Sequence, residues 1–286
     1  MLGDAAPQGA PNRDEVAVSV RLLAPLSNLF PPLTQPWPRI DAPLRLRRAI
    51  HAGDALLVQR ILKSHPHLLH NPDLMLPNSP GTATGNSNLH LAAHLGHADI
   101  ASLLLSLGHE DPDPAVNELH QTALMLAAEA GHTEVVHLLC EADAAVILRR
   151  DSRGRDAIME ASLGGHDTAL QILLTYVPGG AAEAVQKVDM DGNTALHLAS
   201  SGGNLLVLRT LLAAGADAER RNAWNWTALS YSATVQAETY LKTLVAEIER
   251  RRAAKRDADA ASESRVSMES RSSALRALGD DDGTND

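Results

Sequence analysis

The stretch Asp191-Gly192-Asn193-Thr194-Ala195-Leu196-His197-Leu198-Ala199 decides the architecture, because its second half returns along the chain at nearly constant spacing. Upstream stand Asn88-Leu89-His90-Leu91-Ala92-Ala93-His94-Leu95-Gly96, Ala123-Leu124-Met125-Leu126-Ala127-Ala128-Glu129-Ala130-Gly131 and Ala157-Ile158-Met159-Glu160-Ala161-Ser162-Leu163-Gly164-Gly165. The glycine closing each phrase falls at 96, 131, 165 and 203, in steps of 35, 34 and 38. A period in this range marks a stacked-repeat architecture, in which no unit buries its apolar face alone.

Behind each glycine a second phrase spaces apolar residues three and four apart. The sets are Ile100, Leu103, Leu104 and Leu107; Val135, Leu138 and Leu139; Leu170, Ile172, Leu173 and Leu174; and Leu205, Leu208, Leu211 and Leu212. That spacing lays an apolar stripe along a helix and assigns Leu138, among others, to the core. Each unit is therefore expected to be two short helices joined at the glycine, which takes a left-handed backbone at little cost. Asp151-Ser152-Arg153-Gly154 and Asp189-Met190-Asp191-Gly192 lie between units and predict tight hairpins projecting from the stack.

The period and the opening Thr194-Ala195-Leu196-His197 resemble the ankyrin repeat. The resemblance implies an all-α ankyrin-repeat solenoid of helix-turn-helix units with projecting hairpins, flanked by disordered arms. Four such units are expected over 88–222. A degenerate pair, Leu46 to Asp54 and then Val58, Ile61 and Leu62, forms an N-terminal capping unit over 44–71. Trp224-Asn225-Trp226-Thr227-Ala228-Leu229 opens a C-terminal capping unit over 223–252. Its long helix carries Ala237, Tyr240, Leu241, Leu244, Val245 and Ile248 on one face. Residues 72–87 are a loop insertion and 178–187 a smaller one. Residues 1–43 hold eight of the fifteen prolines and are expected to be a flexible arm. Residues 253–286 are Ser and Asp-rich and are expected to be a disordered tail, with a transient helix around Ser273 to Leu278.

Composition excludes much else. Hydrophobic residues make up 44% but aromatics only 2%, with Phe30 the single phenylalanine. Such a core suits thin, closely packed helices and disfavours aromatic-filled sandwiches or barrels. The net charge of -10 argues against a general nucleic-acid binder. No apolar run reaches the roughly 18 residues of a membrane helix, and Cys140 alone gives no disulfide framework. A cytoplasmic protein is the expectation, at most peripheral at the plasma membrane.

Catalytic and metal chemistry find little footing. His90 and His94 lie four apart on a predicted helix, with His97 behind, a spacing that can serve a metal. The structural reading is stronger: His90 is the histidine of the helix opening, with its ring on hairpin backbone groups. His97, His132 and His166 repeat a Gly-His turn. Cys140 follows Leu138 and Leu139 and reads as a packed thiol. No phosphate-binding glycine loop or nucleophile elbow occurs. No catalytic, cofactor or metal residue is assigned, and no small-molecule substrate.

Charge is more informative. Between Lys63 and Arg149 there is no lysine or arginine, only ten acidic residues and ten histidines. That interval is either a solvated face or an acidic docking surface for a basic partner. Then Arg149, Arg150, Arg153 and Arg155 surround one predicted hairpin, and Arg220 and Arg221 precede another beside Trp224 and Trp226. Solvated tips are the plain reading. Because arginine and tryptophan are enriched at interface hot spots, these eight residues are also the partner-binding candidates. The basic run Arg250-Arg251-Arg252-Ala253-Ala254-Lys255-Arg256 suits the negative end of a helix, or an import signal. Arg265-Val266-Ser267 and Arg271-Ser272-Ser273 fit phosphorylation sites.

One family shares the opening Leu44-Arg45-Leu46-Arg47-Arg48-Ala49-Ile50 and the following His65-Pro66-His67-Leu68-Leu69. It also shares Leu105-Ser106-Leu107-Gly108-His109-Glu110-Asp111 and the last unit. This chain resembles the ankyrin-repeat, or Avo2-type, subunit of the fungal target of rapamycin complex 2. The insertion at 72–87 and Asp156-Ala157-Ile158-Met159 depart from that pattern. The resemblance implies a non-catalytic adaptor that binds the larger scaffold subunits of the kinase complex, touching the membrane only indirectly. The alternative is a nuclear or cytoplasmic ankyrin regulator of transcription or signalling factors.

Overall fold

A computed structural model describes residues 41–70, 85–111 and 113–279, with side chains through 257. The flexible-arm expectation for 1–40, most of the insertion at 72–87 and the end of the tail lie outside the described residues.

The described chain is built from paired helices. After a first pair, α1 (Ala42–His51) and α2 (Ala55–Ser64), come α3 (Asn88–Leu95) with α4 (Ala98–Ser106), and α5 (Ala123–Ala130) with α6 (Thr133–Ala142). These are followed by α7 (Ala157–Gly164) with α8 (Asp167–Tyr176), a short α9 (Ala181–Ala184), and α10 (Ala195–Gly202) with α11 (Leu205–Ala213). The last helix, α12, runs Val235–Gly279. Among the described residues there is no strand, only one bridge between Arg221 and Thr227.

First helices pack in one row, α1 to α3 to α5 to α7 to α10, and second helices in another, α2 to α4 to α6 to α8 to α11. Ala92, Ala93, Ala127, Ala128, Ala161 and Ala199 are fully buried in the first row, so those short helices approach closely. Ile100, Leu104, Val135, Leu170, Leu173 and Leu208 fill the space between rows. Leu138, expected in this core, is only half-buried; Val135, Val136 and Leu139 take the inward positions of α6.

Each pair turns at a glycine in the left-handed region, as at Gly96 (φ 78°) and Gly131 (φ 77°). The next repeat's histidine covers that turn: His132 donates from Nε2 to the His94 carbonyl at 3.0 Å. His166 donates to the Glu129 carbonyl at 2.9 Å. The insertion after α8 holds α9, and Gln186 ties it forward to the Gly215 carbonyl at 2.8 Å. That explains the longer step of 38.

The C-terminal end departs from the two-helix pattern of the repeats. The last unit has no regular first helix, because residues 228–231 form turns. Ser232 bonds Ser200 through their hydroxyls at 2.8 Å, and the Ala233 amide donates to the Ser200 carbonyl at 3.1 Å. The preceding repeat thus captures the backbone before a helix can extend. The last helix, α12, runs past residue 252 to Gly279. No proline or internal glycine interrupts 235–278, which is rich in Ala, Glu, Arg and Ser; nothing there stops a helix.

Candidate protein-binding surface

Four hairpins, at 117–121, 151–155, 189–193 and 222–226, are built alike. Each opens on a buried Asx residue whose side chain holds the turn. Asn117 Oδ1 accepts from the amides of Leu119 and Gln121, and Asp151 Oδ1 from Arg153 and Arg155. Asp189 Oδ1 serves Asp191 and Asn193, and Asn222 Oδ1 serves Trp224 and Trp226. This is Asx-turn chemistry repeated in register. The fourth residue of each turn has positive φ. Gly154 and Gly192 take it without strain, whereas His120 (φ 58°) and Asn225 (φ 64°) adopt it as non-glycine residues.

Adjacent hairpins are joined tip to tip. Ser152 donates to the Leu119 carbonyl at 2.9 Å, Met190 to Arg153 at 3.0 Å and Ala223 to Asp191 at 3.0 Å. The tips therefore form one continuous edge along the stack.

Histidines of the helix openings fasten that edge to the helices. Nδ1 of His197 accepts the Thr194 amide at 3.2 Å, so Nε2 carries the proton and donates to the Trp226 carbonyl at 3.1 Å. His90 is placed alike, with Nδ1 2.6 Å from Ser87 Oγ and Nε2 2.8 Å from the Gln121 carbonyl. Burial lowers the pKa of both rings, which are neutral in this arrangement. Both rings act as structural pins.

The candidate arginines divide. Arg153, Arg220 and Arg221 are exposed on the edge. Arg221 donates to the Asn225 carbonyl at 2.9 Å, and Arg150 reaches the Val188 carbonyl at 2.9 Å. Arg149 lies 3.7 Å from Asp113. None of Arg150, Arg153, Arg220 and Arg221 is paired with a carboxylate among the described residues. Arg155 behaves differently: its side chain is only 14% exposed and lies 3.7 Å from both Glu160 and Asp189. It crosses the joint between two repeats and offers little surface. Glu160 occupies the position held by Leu91, Leu126 and Leu198 in the other units. Burial pushes its carboxyl up to about 7, against the attraction of Arg155.

Trp224 and Trp226 stand half in solvent, 52% and 51% exposed, and Met190 on the neighbouring tip is 75% exposed. Trp226 packs on Tyr231, with ring centroids 5.9 Å apart. Toward the other end the surface is acidic. Glu110, Asp111 and Asp143 rim a pocket of about 250 Å³ floored by Leu105, Leu124 and Leu139.

Sequence reasoning missed the Asx row and the Arg155–Glu160 pairing. Both left signals: an Asx five residues before Thr122, Asp156, Thr194 and Thr227, and a glutamate at a leucine position.

Reactive groups are occupied structurally. Cys140 is buried and its thiol is pushed up to about 12 by desolvation. Among the described residues no three His, Cys, Asp or Glu side chains are placed to hold a metal. No described helix is long and apolar enough to cross a membrane.

Comparisons with known proteins agree with this geometry. The chain is 28% identical over 211 residues to the target of rapamycin complex 2 subunit AVO2 of Saccharomyces cerevisiae, covering 73% of this chain and 46% of that protein. It is 32% identical over 197 residues to the probable E3 ubiquitin-protein ligase XBOS32 of Oryza sativa, covering 60% of this chain and 38% of that one. The chain thus spans less than half the length of these relatives. A chain from the complex of the Bdellovibrio bacteriovorus predatory endopeptidase Bd0816 with immunity protein Bd3460 superposes with a TM-score of 0.55. It is 24% identical, over 70% of this chain and 97% of that one, and shows the fold alone. The family model for ankyrin repeats in three copies matches residues 46–151, 89–181 and 158–252. With its stacked helix pairs, its hairpin edge and this match, the chain belongs to the ankyrin-repeat family, whose repeats are protein-interaction modules.

Proposed function

We propose that this chain is a non-catalytic adaptor subunit of a target of rapamycin complex 2, docking on the scaffold subunits through its hairpin edge. The observation that carries this reading is the likeness to AVO2 across 73% of the chain. A rigid edge supports it physically, because pre-organised anchors lose little conformational entropy on binding. In this role the chain is cytoplasmic and meets the plasma membrane only through its complex.

Affinity purification of the full-length chain from its native cells tests the reading. Recovery of the TOR kinase with its scaffold subunits is expected. Their absence, with other partners recovered instead, would overturn it. One observation favours a nuclear regulator: among the described residues, only Arg251 of the run 250–256 has an acidic partner, Glu247. Fluorescence localisation to the nucleus, lost when those basic residues are neutralised, would establish that alternative.

A further inference from the structure

The hairpin edge is not uniform, and its C-terminal end has a chemistry of its own. Over the last two tips it presents Met190, Trp224 and Trp226 as exposed apolar side chains on consecutive turns joined by a backbone hydrogen bond. Around them stand Arg150, Arg153, Arg220 and Arg221, none paired with a carboxylate among the described residues. This arrangement is unexpected in a chain of net charge -10, which has acid to spare for neutralising four arginines. Carboxylates are present nearby, since Asp191 and Glu219 also face outward. Yet among the described residues none of the four forks lies within ion-pair distance of a carboxylate, and Arg150 and Arg153 act only at longer range on Asp156 and Glu160.

Two of the arginines are already oriented. Arg221 is held on the Asn225 carbonyl and Arg150 on the Val188 carbonyl, each through one Nη1. The rest of each planar fork is available for a carboxylate, the acceptor that matches it in a bidentate way. The Asn222 side chain accepts both tryptophan backbone amides and so fixes the turn that carries them, and the Tyr231 ring packs against Trp226. Two exposed aromatic side chains on a fixed turn, beside arginines without an ion-pair partner among the described residues, are the makings of a binding hot spot.

From this we infer that the last three hairpin tips seat an extended acidic segment of a partner protein, with a bulky apolar residue set between its carboxylates. The apolar residue lies against Trp224, Trp226 and Met190, and the carboxylates on either side meet Arg150 and Arg153 or Arg220 and Arg221. The inference rests on the hairpin edge being the docking face, but not on membership of any particular kinase complex.

The test is to pan a phage-displayed random dodecapeptide library on the full-length chain, then measure the enriched peptides by fluorescence anisotropy. Enriched sequences should be net acidic with at least one aromatic or large aliphatic residue. They should weaken as salt is raised and lose about tenfold or more in affinity for Trp224→Ala/Trp226→Ala. Arg153→Glu/Arg220→Glu should abolish binding, while circular dichroism stays that of the parent. Enrichment of basic or uncharged peptides would overturn the inference, as would acidic peptides binding the double tryptophan variant undiminished, or no enrichment at all. Acidic peptides seated on these tips without recovery of TOR scaffold subunits from cells would remove the adaptor reading and leave this inference standing.

Discussion

The Nε2 of His166 donates to the Glu129 carbonyl across 2.9 Å, and its ring lies so near Gly131 that a β-carbon there would stand 2.3 Å from Nδ1. One repeat's turn is thus sealed by the next repeat's histidine. His166→Ala should cost about 1 kcal/mol for the lost hydrogen bond. Gly131→Ala should cost more, because it adds a clash to a strained positive φ. In the His166→Ala background the Gly131→Ala penalty should shrink, since part of it is the clash. Urea denaturation of the four proteins measures this coupling, and additive penalties would contradict the contact.

The row of core leucines yields a second expectation. Leu170→Ala empties a fully buried site between α7 and α8 and should destabilise by about 2–5 kcal/mol. Leu138→Ala, at a half-buried site, should cost clearly less. Thermal melts that rank the two the other way would contradict the packing.

Much of this was legible beforehand, for identifiable reasons. Periodicity carries helix pairs well, so the turns at Gly96, Gly131, Gly165 and Gly203 fell where the sequence placed them. The bond from His90 to a hairpin backbone group followed from its place in the opening motif. Leu138 packs against the core but is only half-buried, and three- and four-residue spacing cannot say which of Leu138 and Leu139 points further inward. The degenerate last unit is legible as a cap, but its missing first helix is not, because capture of Ala233 by Ser200 is a contact between repeats. Arg155 looked like its neighbours in sequence, and only the folded joint sets it between Glu160 and Asp189. The solvent-facing arginines were read from their position on a predicted tip, which periodicity does fix.

Glu160 also gives the stack a pH dependence. Its ordinary value of 4.5 is raised to about 7 in the folded chain. Between those values the unfolded chain releases the proton while the folded chain keeps it, so this group makes stability fall as pH rises through that window. The lowered pKa values of His90 and His197 act in the opposite sense below about 6.5. The readout is therefore the difference between parent and Glu160→Gln. The variant should lose the decline between about pH 4.5 and 7 that Glu160 contributes. Parallel profiles would show that the carboxyl is not perturbed.

His120 occupies the turn position that Gly154 and Gly192 fill elsewhere, at φ 58°. Relief of that strain by His120→Gly should raise stability by about 1 kcal/mol, visible as a higher melting temperature. A drop would mean that the imidazole makes a stabilising contact.

The central claim is that a rigid hairpin edge on a linear stack recruits proteins. The most direct measurement compares quantitative affinity purification of the parent chain with two full-length variants of unchanged melting temperature. One carries Arg153→Glu, Arg220→Glu, Trp224→Ala and Trp226→Ala on the edge. The other carries Gln171→Glu and Thr175→Glu on the exposed face of α8. The account predicts that the edge variant loses its partners while the α8 variant keeps them. Equal retention by both, or loss confined to the α8 variant, would contradict it.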